Sequence, residues 1–302
     1  MSEPTIRLQG IGKRFGRQWA VRGVDLALRE GECVGLVGHN GAGKSTLIKL
    51  MLGLIRPSEG SVRVLGDDPA SGHAVVRQAL GYLPENVALH PSMTGLETIT
   101  FYARLKRQDR TSCGALLERV GLTAAARQRV GTYSKGMRQR LGLAQALLGN
   151  PRALLLDEPT TGLDPALRQS FYAILRTLRD AGATVLLSSH ALAELEGEVD
   201  RVVVMNRGQK MADGNISELR RLAGIRPRLR VRLARTLRAV ANGGDPWSNW
   251  ERLPGDVLET ECDEHEIPSL LRALPSGVQD VDIVRPSLDA VYAAFLKDEG
   301  TS

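Results

Sequence analysis

Gly38-His39-Asn40-Gly41-Ala42-Gly43-Lys44-Ser45-Thr46 constrains this chain more than any other stretch. It fits the phosphate-loop pattern, GxxxxGK followed by Ser or Thr. An apolar run ending at Val37 precedes it, and a helical pattern follows. The chemistry needs that strand-loop-helix order. Glycines let the backbone turn its N–H groups inward around phosphate, and a helix N-terminus adds favourable potential. Lys44 is expected to reach the β- and γ-phosphates, and the Ser45 hydroxyl to bind Mg²⁺. A glycine-rich turn without a ligand is the plain alternative, and the flanking elements argue against it.

Short apolar runs alternate with helical patterns from Ile6 to about Leu222. Ala27 to Val37, Ala153 to Leu156, Ala183 to Leu187 and Arg201 to Met205 read as strands. Gly43 to Leu54 and Pro165 to Arg179 show the spacing of helices. Buried parallel strands with crossover helices, an α/β fold, are the simplest architecture. Thr94-Gly95-Leu96-Glu97 spells a capping box, which predicts a helix start near Gly95.

Composition shifts near Gly224. Arg226, Arg228, Arg230 and Arg232 alternate there with Leu229, Val231 and Leu233. The period of two predicts a strand with one arginine face. That face reads either as a solvated edge or as a contact for an acidic partner or an anionic membrane surface. Val257 to Glu261 and Val278 to Val284 are further strands, Leu288 to Leu296 is helical, and Asn242-Gly243-Gly244-Asp245-Pro246 is a loop. The expected domains are residues 1–222, with a helical subdomain at about 87–150, and a small α+β domain at 223–302.

Ala153-Leu154-Leu155-Leu156 ends in Asp157-Glu158. Asp157 is expected to hold Mg²⁺, and Glu158 to polarise the water that attacks the γ-phosphate. Between the two motifs lies Thr132-Tyr133-Ser134-Lys135-Gly136-Met137-Arg138-Gln139-Arg140, and a helical run from Gln139 to Leu148 follows. Small residues before a helix suit a phosphate. Cys262 and His265 have metal-like spacing, but two ligands make no site, and a solvated loop is the better reading.

The 302 residues carry 40 Lys plus Arg against 34 Asp plus Glu, a balance of +6 that does not choose between membrane and nucleic-acid partners. The three cysteines, Cys33, Cys113 and Cys262, form no CxxC pair, so a disulfide framework is not expected. The start Met1-Ser2-Glu3-Pro4 lacks signal-peptide character, and no apolar stretch reaches the ~18 residues that span a bilayer. Any membrane passage is expected to come from another chain.

The order of these motifs over residues 5 to about 222 resembles the ATP-binding cassette (ABC) family. Tyr133-Ser134-Lys135-Gly136-Met137 resembles the family's signature loop, LSGGQ, in the spelling of cassettes paired with ABC-2-type permeases. Thr161-Gly162-Leu163-Asp164 resembles the D-loop, and Ser188-Ser189-His190 the switch histidine that contacts the γ-phosphate. Phe15 stands where the family places an aromatic under adenine, although a core Phe is the alternative. Glu85 stands where the family has the Q-loop glutamine, and it adds a charge there. The resemblance implies ATP and Mg²⁺, with Ser45, Glu85 and Asp157 around the metal. It also implies a second copy of the chain, whose Ser134, Lys135, Gly136 and Met137 close over ATP held by Phe15 and residues 38–46. About Val87 to Val130 is the segment expected to receive the permease.

Within the family, Gly38 to Gly43, Gly81-Tyr82-Leu83-Pro84-Glu85-Asn86-Val87, Phe101 to Lys106 and Leu141 to Gly149 together resemble cassettes of the NosDFY type, which mature the copper sites of nitrous oxide reductase. That resemblance implies a NosY-like ABC-2-type permease and, indirectly, a periplasmic NosD-like protein. A drug or lipid exporter of the ABC-2 type is the alternative. The expected location is peripheral, on the cytoplasmic face of the inner membrane. A ribosome- or DNA-directed cassette is disfavoured, because the chain has one compact cassette and no coiled-coil or zinc insertion. No nucleic-acid partner is therefore expected.

Overall fold

The computed structural model describes residues 3–233, 250–274 and 278–297. They fall into two compact units that divide after Asn215. The predicted boundary at 222 lies later, because α7 (Ile216–Leu222) packs with α9 (Leu288–Lys297) of the second unit. The predicted loop at 242–246 lies outside the described residues.

The first unit is built on the apolar runs. β3 (Cys33–Val37), β6 (Ala153–Leu156) and β7 (Thr184–Ser189) are buried at every position. Strands covered on both faces read as continuous apolar runs rather than as alternation. With β5 (Leu80–Leu83), β8 (Arg201–Asn206) and β9 (Gln209–Gly214) they form a sheet in the order β5-β6-β7-β3-β8-β9. All neighbours are parallel except β8 and β9. The C-terminal ends of β6, β7 and β3 therefore lie side by side, where α/β sheets hold ligands.

A second sheet, order β2-β1-β4, is antiparallel: β1 is Ile6–Phe15, β2 Gln18–Leu28 and β4 Glu59–Val64. Its inward Ile6, Leu8, Val24 and Val62 share one core with Leu36 of β3, Leu155 of β6 and Leu47, Ile48 and Met51 of α1 (Lys44–Met51). The stretch Ala27 to Val37, read as one strand, is two. Arg29 to Glu32 turns between the sheets, with Gly31 at φ 70°. Apolar content spans the junction, so the two strands ran together in the sequence. α6 (Pro165–Asp180) is capped by Asp164, which accepts from the Leu167 N–H at 2.9 Å.

Between β5 and β6 lie α3 (Gly95–Leu105), α4 (Cys113–Arg119) and α5 (Lys135–Ala146). The Thr94–Glu97 capping box forms as its spelling predicts. α5 starts earlier than the predicted Gln139, because the Ser134 hydroxyl caps it by accepting from the Met137 N–H at 3.2 Å. The Tyr133 hydroxyl donates to the Ala125 carbonyl at 2.6 Å, and that ring passes so close to Gly95 that a side chain there has no room. Cys33, Cys113 and Cys262 are buried and unpaired, and burial pushes the Cys33 thiol up to about 12.

In the second unit, β11 (Glu251–Leu253), β12 (Val257–Glu261), β10 (Arg228–Leu233) and β13 (Val278–Val284) form an antiparallel sheet in that order. Leu229, Val231 and Leu258 pack with Ile267 of α8 (Ile267–Ala273). β10 is thus an interior strand, and the solvated-edge reading of its arginines is corrected. The charges of Arg228 and Arg230 are met across the ladder. Glu259, only 5% exposed, pairs with Arg228 at 3.2 Å and with Arg230, and Arg228 also reaches Glu261 at 3.0 Å. Two arginines whose charge is spent on a neighbouring strand leave less of the row for an anionic surface.

Gly81 in β5 tests the packing between α5 and the sheet. A side chain there meets the Ala146 carbonyl at 2.4 Å, and backbone cannot step aside. Gly81→Ala is expected to lower stability by about 1–3 kcal/mol, seen as an earlier chemical-denaturation midpoint. Gly114→Ala in α4, where nothing lies within 4 Å, is expected to leave the midpoint unchanged or raise it slightly.

Candidate functional site

At the end of β3 the chain leaves Val37 into the phosphate loop. Gly43 sits at φ 101°, and a side chain there would meet the Ala20 carbonyl at 2.6 Å. Gly38 is equally confined, with the Met205 carbonyl 2.7 Å from where a Cβ would stand. Both positions therefore require glycine. The loop lines a cleft of about 410 Å³. His39, Asn40, Gly41, Ala42, Gly43, Lys44, Ser45 and Thr46 form one side, with Phe15, Glu85 and Glu158 around them. Eleven predicted residues thus meet in one place, although they come from four separated stretches.

Lys44 is 6% exposed. Its ammonium donates to the Gly38 carbonyl and lies 3.3 Å from Glu158 Oε1. Glu158 Oε2 faces His190 Nδ1 at 2.9 Å. One carboxylate therefore spans the loop lysine and the histidine after β7. Glu158 Oε1 is buried and has no aligned hydrogen bond. Its residue also adopts φ 48°, a left-handed conformation that costs a non-glycine about 1–2 kcal/mol. Strain and an under-satisfied oxygen on one residue are the marks of a site that is built to act.

Ser188, wholly buried in β7, fixes both acids. Its hydroxyl donates to Asp157 Oδ1 at 2.7 Å and accepts from the Glu158 N–H at 2.8 Å. Asp157 does not line the cleft; it stands buried at the end of β6. Burial of the Tyr82 phenol, and then the Asp157 charge, push that phenol up. Ser45 and Glu85 lie in the cleft itself. These donors are all hard oxygens, a set that fits Mg²⁺.

Ser134, Lys135, Gly136 and Met137 are not in this cleft. They begin α5 and pack on the D-loop. A side chain at Gly162 would meet Lys135 Nζ at 2.6 Å, and one at Gly136 would meet Leu167 at 3.0 Å. Cys262 and His265 do not converge. The Cys262 thiol points to the Pro227 carbonyl at 3.9 Å, while His265 sits at the surface beside Asp263 and Glu266.

Three cleft residues, and one residue that holds His39 from outside the lining, were missed in the sequence. Gln18, Trp19 and Ala20 line the cleft because the β1–β2 hairpin pairs Phe15 with Gln18. The two-residue turn Gly16-Arg17 was the available signal. Lys13 lies 5.1 Å over the Phe15 ring, and Arg14 lies 5.6 Å from the Trp19 ring. Asn206 meets His39 Nε2 at 2.9 Å from the end of β8, which no local pattern reveals. His39 Nδ1 carries a proton, because its partner at 2.7 Å, the Asn40 carbonyl, only accepts.

Residues 21–161 match the ABC transporter family. The uncharacterized ABC transporter ATP-binding protein YdbJ of Bacillus subtilis is 39% identical over 70% of this chain and 70% of its own length. The daunorubicin resistance ATP-binding protein DrrA3 of Streptomyces coeruleorubidus is 34% identical over 99% of this chain and 98% of its own. A solved ATP-binding subunit of an ABC transporter superposes with a TM-score of 0.68 at 29% identity, covering 73% of this chain and 93% of that one. The chain belongs to the ABC transporter ATP-binding proteins and is an ATPase.

Proposed function

We propose that this chain energises an ABC-2-type exporter, working as a pair at the cytoplasmic face of the membrane beside a separate permease. The observation that carries the reading is Glu158, one carboxylate facing both Lys44 and His190 in the phosphate-loop cleft. Phe15 stacks on adenine, and the loop N–H groups and Lys44 hold the phosphates. Glu158 takes the proton of the attacking water, and His190 contacts the γ-phosphate while orienting Glu158. Ser45 and Glu85, with Asp157 behind them, would hold Mg²⁺, which would supply positive charge to offset that of the phosphates. Ser134 through Met137 lie outside their own chain's cleft, so a second copy supplies them by two-fold symmetry.

Among the described residues, no helix is long and apolar enough to cross a membrane. An apolar groove of about 310 Å³, lined by Leu54, Tyr82, Tyr102 and Leu105, suits the permease, and Leu54 and Leu105 are 65% and 64% exposed. DrrA3, which matches nearly the whole chain and is named for drug resistance, favours export. The copper-maturation reading, with NosY-like and NosD-like partners, rests on loop spellings alone. Stimulation of ATPase by amphipathic drugs, in vesicles holding this chain and its permease, supports export. Stimulation only with a periplasmic copper-delivery partner supports the other reading.

Glu158→Gln is expected to lower kcat on the order of a hundredfold or more while ATP still binds, trapping an ATP-bound pair. Near-normal turnover would falsify the base assignment. Lys44→Ala and Gly136→Asp are each expected to be inactive alone. Mixed, they form pairs with one doubly damaged site and one intact site, so a fraction of activity returns. Mixed pairs that form without any rescue exclude a shared site that works singly.

The acid at the Q-loop position has its own consequence. Glu85→Gln removes one charge beside the metal donors, so half-maximal activity is expected to need severalfold more Mg²⁺. An unchanged Mg²⁺ titration removes Glu85 from the metal's surroundings.

A further inference from the structure

Glu194 belongs to none of the motifs above. It sits in a one-turn helix, Leu192–Leu195, four residues after His190. Both of its oxygens are engaged. Oε2 accepts from the Thr160 hydroxyl at 3.3 Å, and Oε1 pairs with Arg168 Nη1 at 2.9 Å. Thr160 is 3% exposed and follows Glu158 by two residues. Arg168 stands one turn into α6, whose first turn carries the D-loop's Asp164 as its cap.

One carboxylate therefore ties together three segments: the turn after His190, the turn after Glu158, and the helix that the D-loop begins. The surroundings make the tie stiff. Leu192 and Leu195 flank Glu194 and are wholly buried. Leu195 lies where a side chain on Gly35 of β3 would stand, at 2.4 Å. The Tyr172 hydroxyl is buried against this cluster, and burial pushes it up to about 12, so it stays neutral and adds no competing charge. Thr161 closes the turn, its hydroxyl 3.4 Å from Glu158 Oε2, the oxygen that faces His190.

His190 needs such a tie. It is 56% exposed and meets Glu158 through a single contact at 2.9 Å. An exposed ring at the end of a strand has free rotamers and no packing to choose among them. Its backbone must be fixed from elsewhere if the Glu158–His190 distance is to hold. The structure offers two anchors. The Ser189 hydroxyl accepts from the Ala191 N–H at 3.1 Å, which sets the local turn. Glu194 sets that turn relative to Glu158.

We infer that Glu194 is a positioning residue for ATP hydrolysis, holding the His190 turn in register with Glu158 and the D-loop through Thr160 and Arg168. The inference rests on the roles given above to Glu158 and His190. Glu194 is not among the residues that line the cleft. Its removal loosens the Glu158–His190 contact while leaving the phosphate loop and Phe15 in place. The loss therefore falls on kcat and spares KM for ATP, because binding uses other residues.

A double-mutant cycle on the full-length chain tests this, with steady-state ATPase and thermal midpoints measured for every variant. Glu194→Ala is expected to lower kcat roughly ten- to a hundredfold, with KM for ATP within about twofold of the parent. Glu194→Gln still accepts from Thr160 and is expected to recover part of that loss. In a His190→Ala background, Glu194→Ala is expected to cost little more, since both changes act on one contact. Should Glu194→Ala fold poorly, Thr160→Val removes the donor with little change of shape and is expected to show the same kcat loss and the same non-additivity. Losses that multiply fully across the two sites, or normal kcat in both Glu194→Ala and Thr160→Val, overturn the role of Glu194 alone. Full turnover in His190→Ala overturns the Glu158–His190 reading and this role with it.

Discussion

Ser188 donates its hydroxyl to Asp157 and accepts the Glu158 N–H, both inside the sheet and both under 2.9 Å. The site hangs on that pair of bonds. Asp157 and Glu158 leave β6 where the strand ends, and a chain leaving a strand can turn either way. A buried hydroxyl on the neighbouring strand picks one turn and satisfies two groups whose orphaning would cost about 1–3 kcal/mol each. The turn it picks puts Glu158 at φ 48°. The strained backbone is the direct consequence of aiming the carboxylate back over β3 towards Lys44.

Sheet order makes this possible. β7 lies between β6 and β3, so its own end, His190, meets one oxygen of Glu158 while Lys44 of the phosphate loop meets the other. Register completes the alignment, with Val37 beside Ser189 and Leu156 beside Leu187. A slip of two residues, which would preserve the facing of every side chain, would move these ends apart by about 7 Å. The wholly buried core under α1 and the two sheets resists that slip, because every shifted residue would have to repack.

Charge is managed differently in the two units. In the first, Glu158 keeps one oxygen without an aligned bond while Lys44 stands beside it. Polarity there is held in reserve for chemistry. In the second, Glu259 is buried between Arg228 and Arg230, and its oxygens are taken. Polarity there is spent on the sheet. The same residue types therefore carry opposite meanings, and partners rather than composition tell them apart.

The sequence by itself determined the elements whose signals are local. The phosphate loop needs closely spaced glycines and a lysine, the α3 start needs Thr94 and Glu97, and the buried strands need unbroken apolar runs; each is written within a dozen residues. The arginine row was equally legible as a strand. Its place inside the sheet was not, because strand order depends on β12 and β13 arriving from either side. The turn that splits Ala27 to Val37 was hidden for a related reason, since both halves are apolar for different sheets. Tertiary structure alone decided that Ser188 bridges the two acids, that Asn206 meets His39, that Trp19 lines the cleft beside Phe15, and that Glu194 joins Thr160 to Arg168. Ser188, Asn206 and Glu194 reach partners at least 26 residues away in the chain. Hydrogen bonds and ion pairs of that reach carry no periodicity, so only the folded sheet, which brings the strand ends together, can write them.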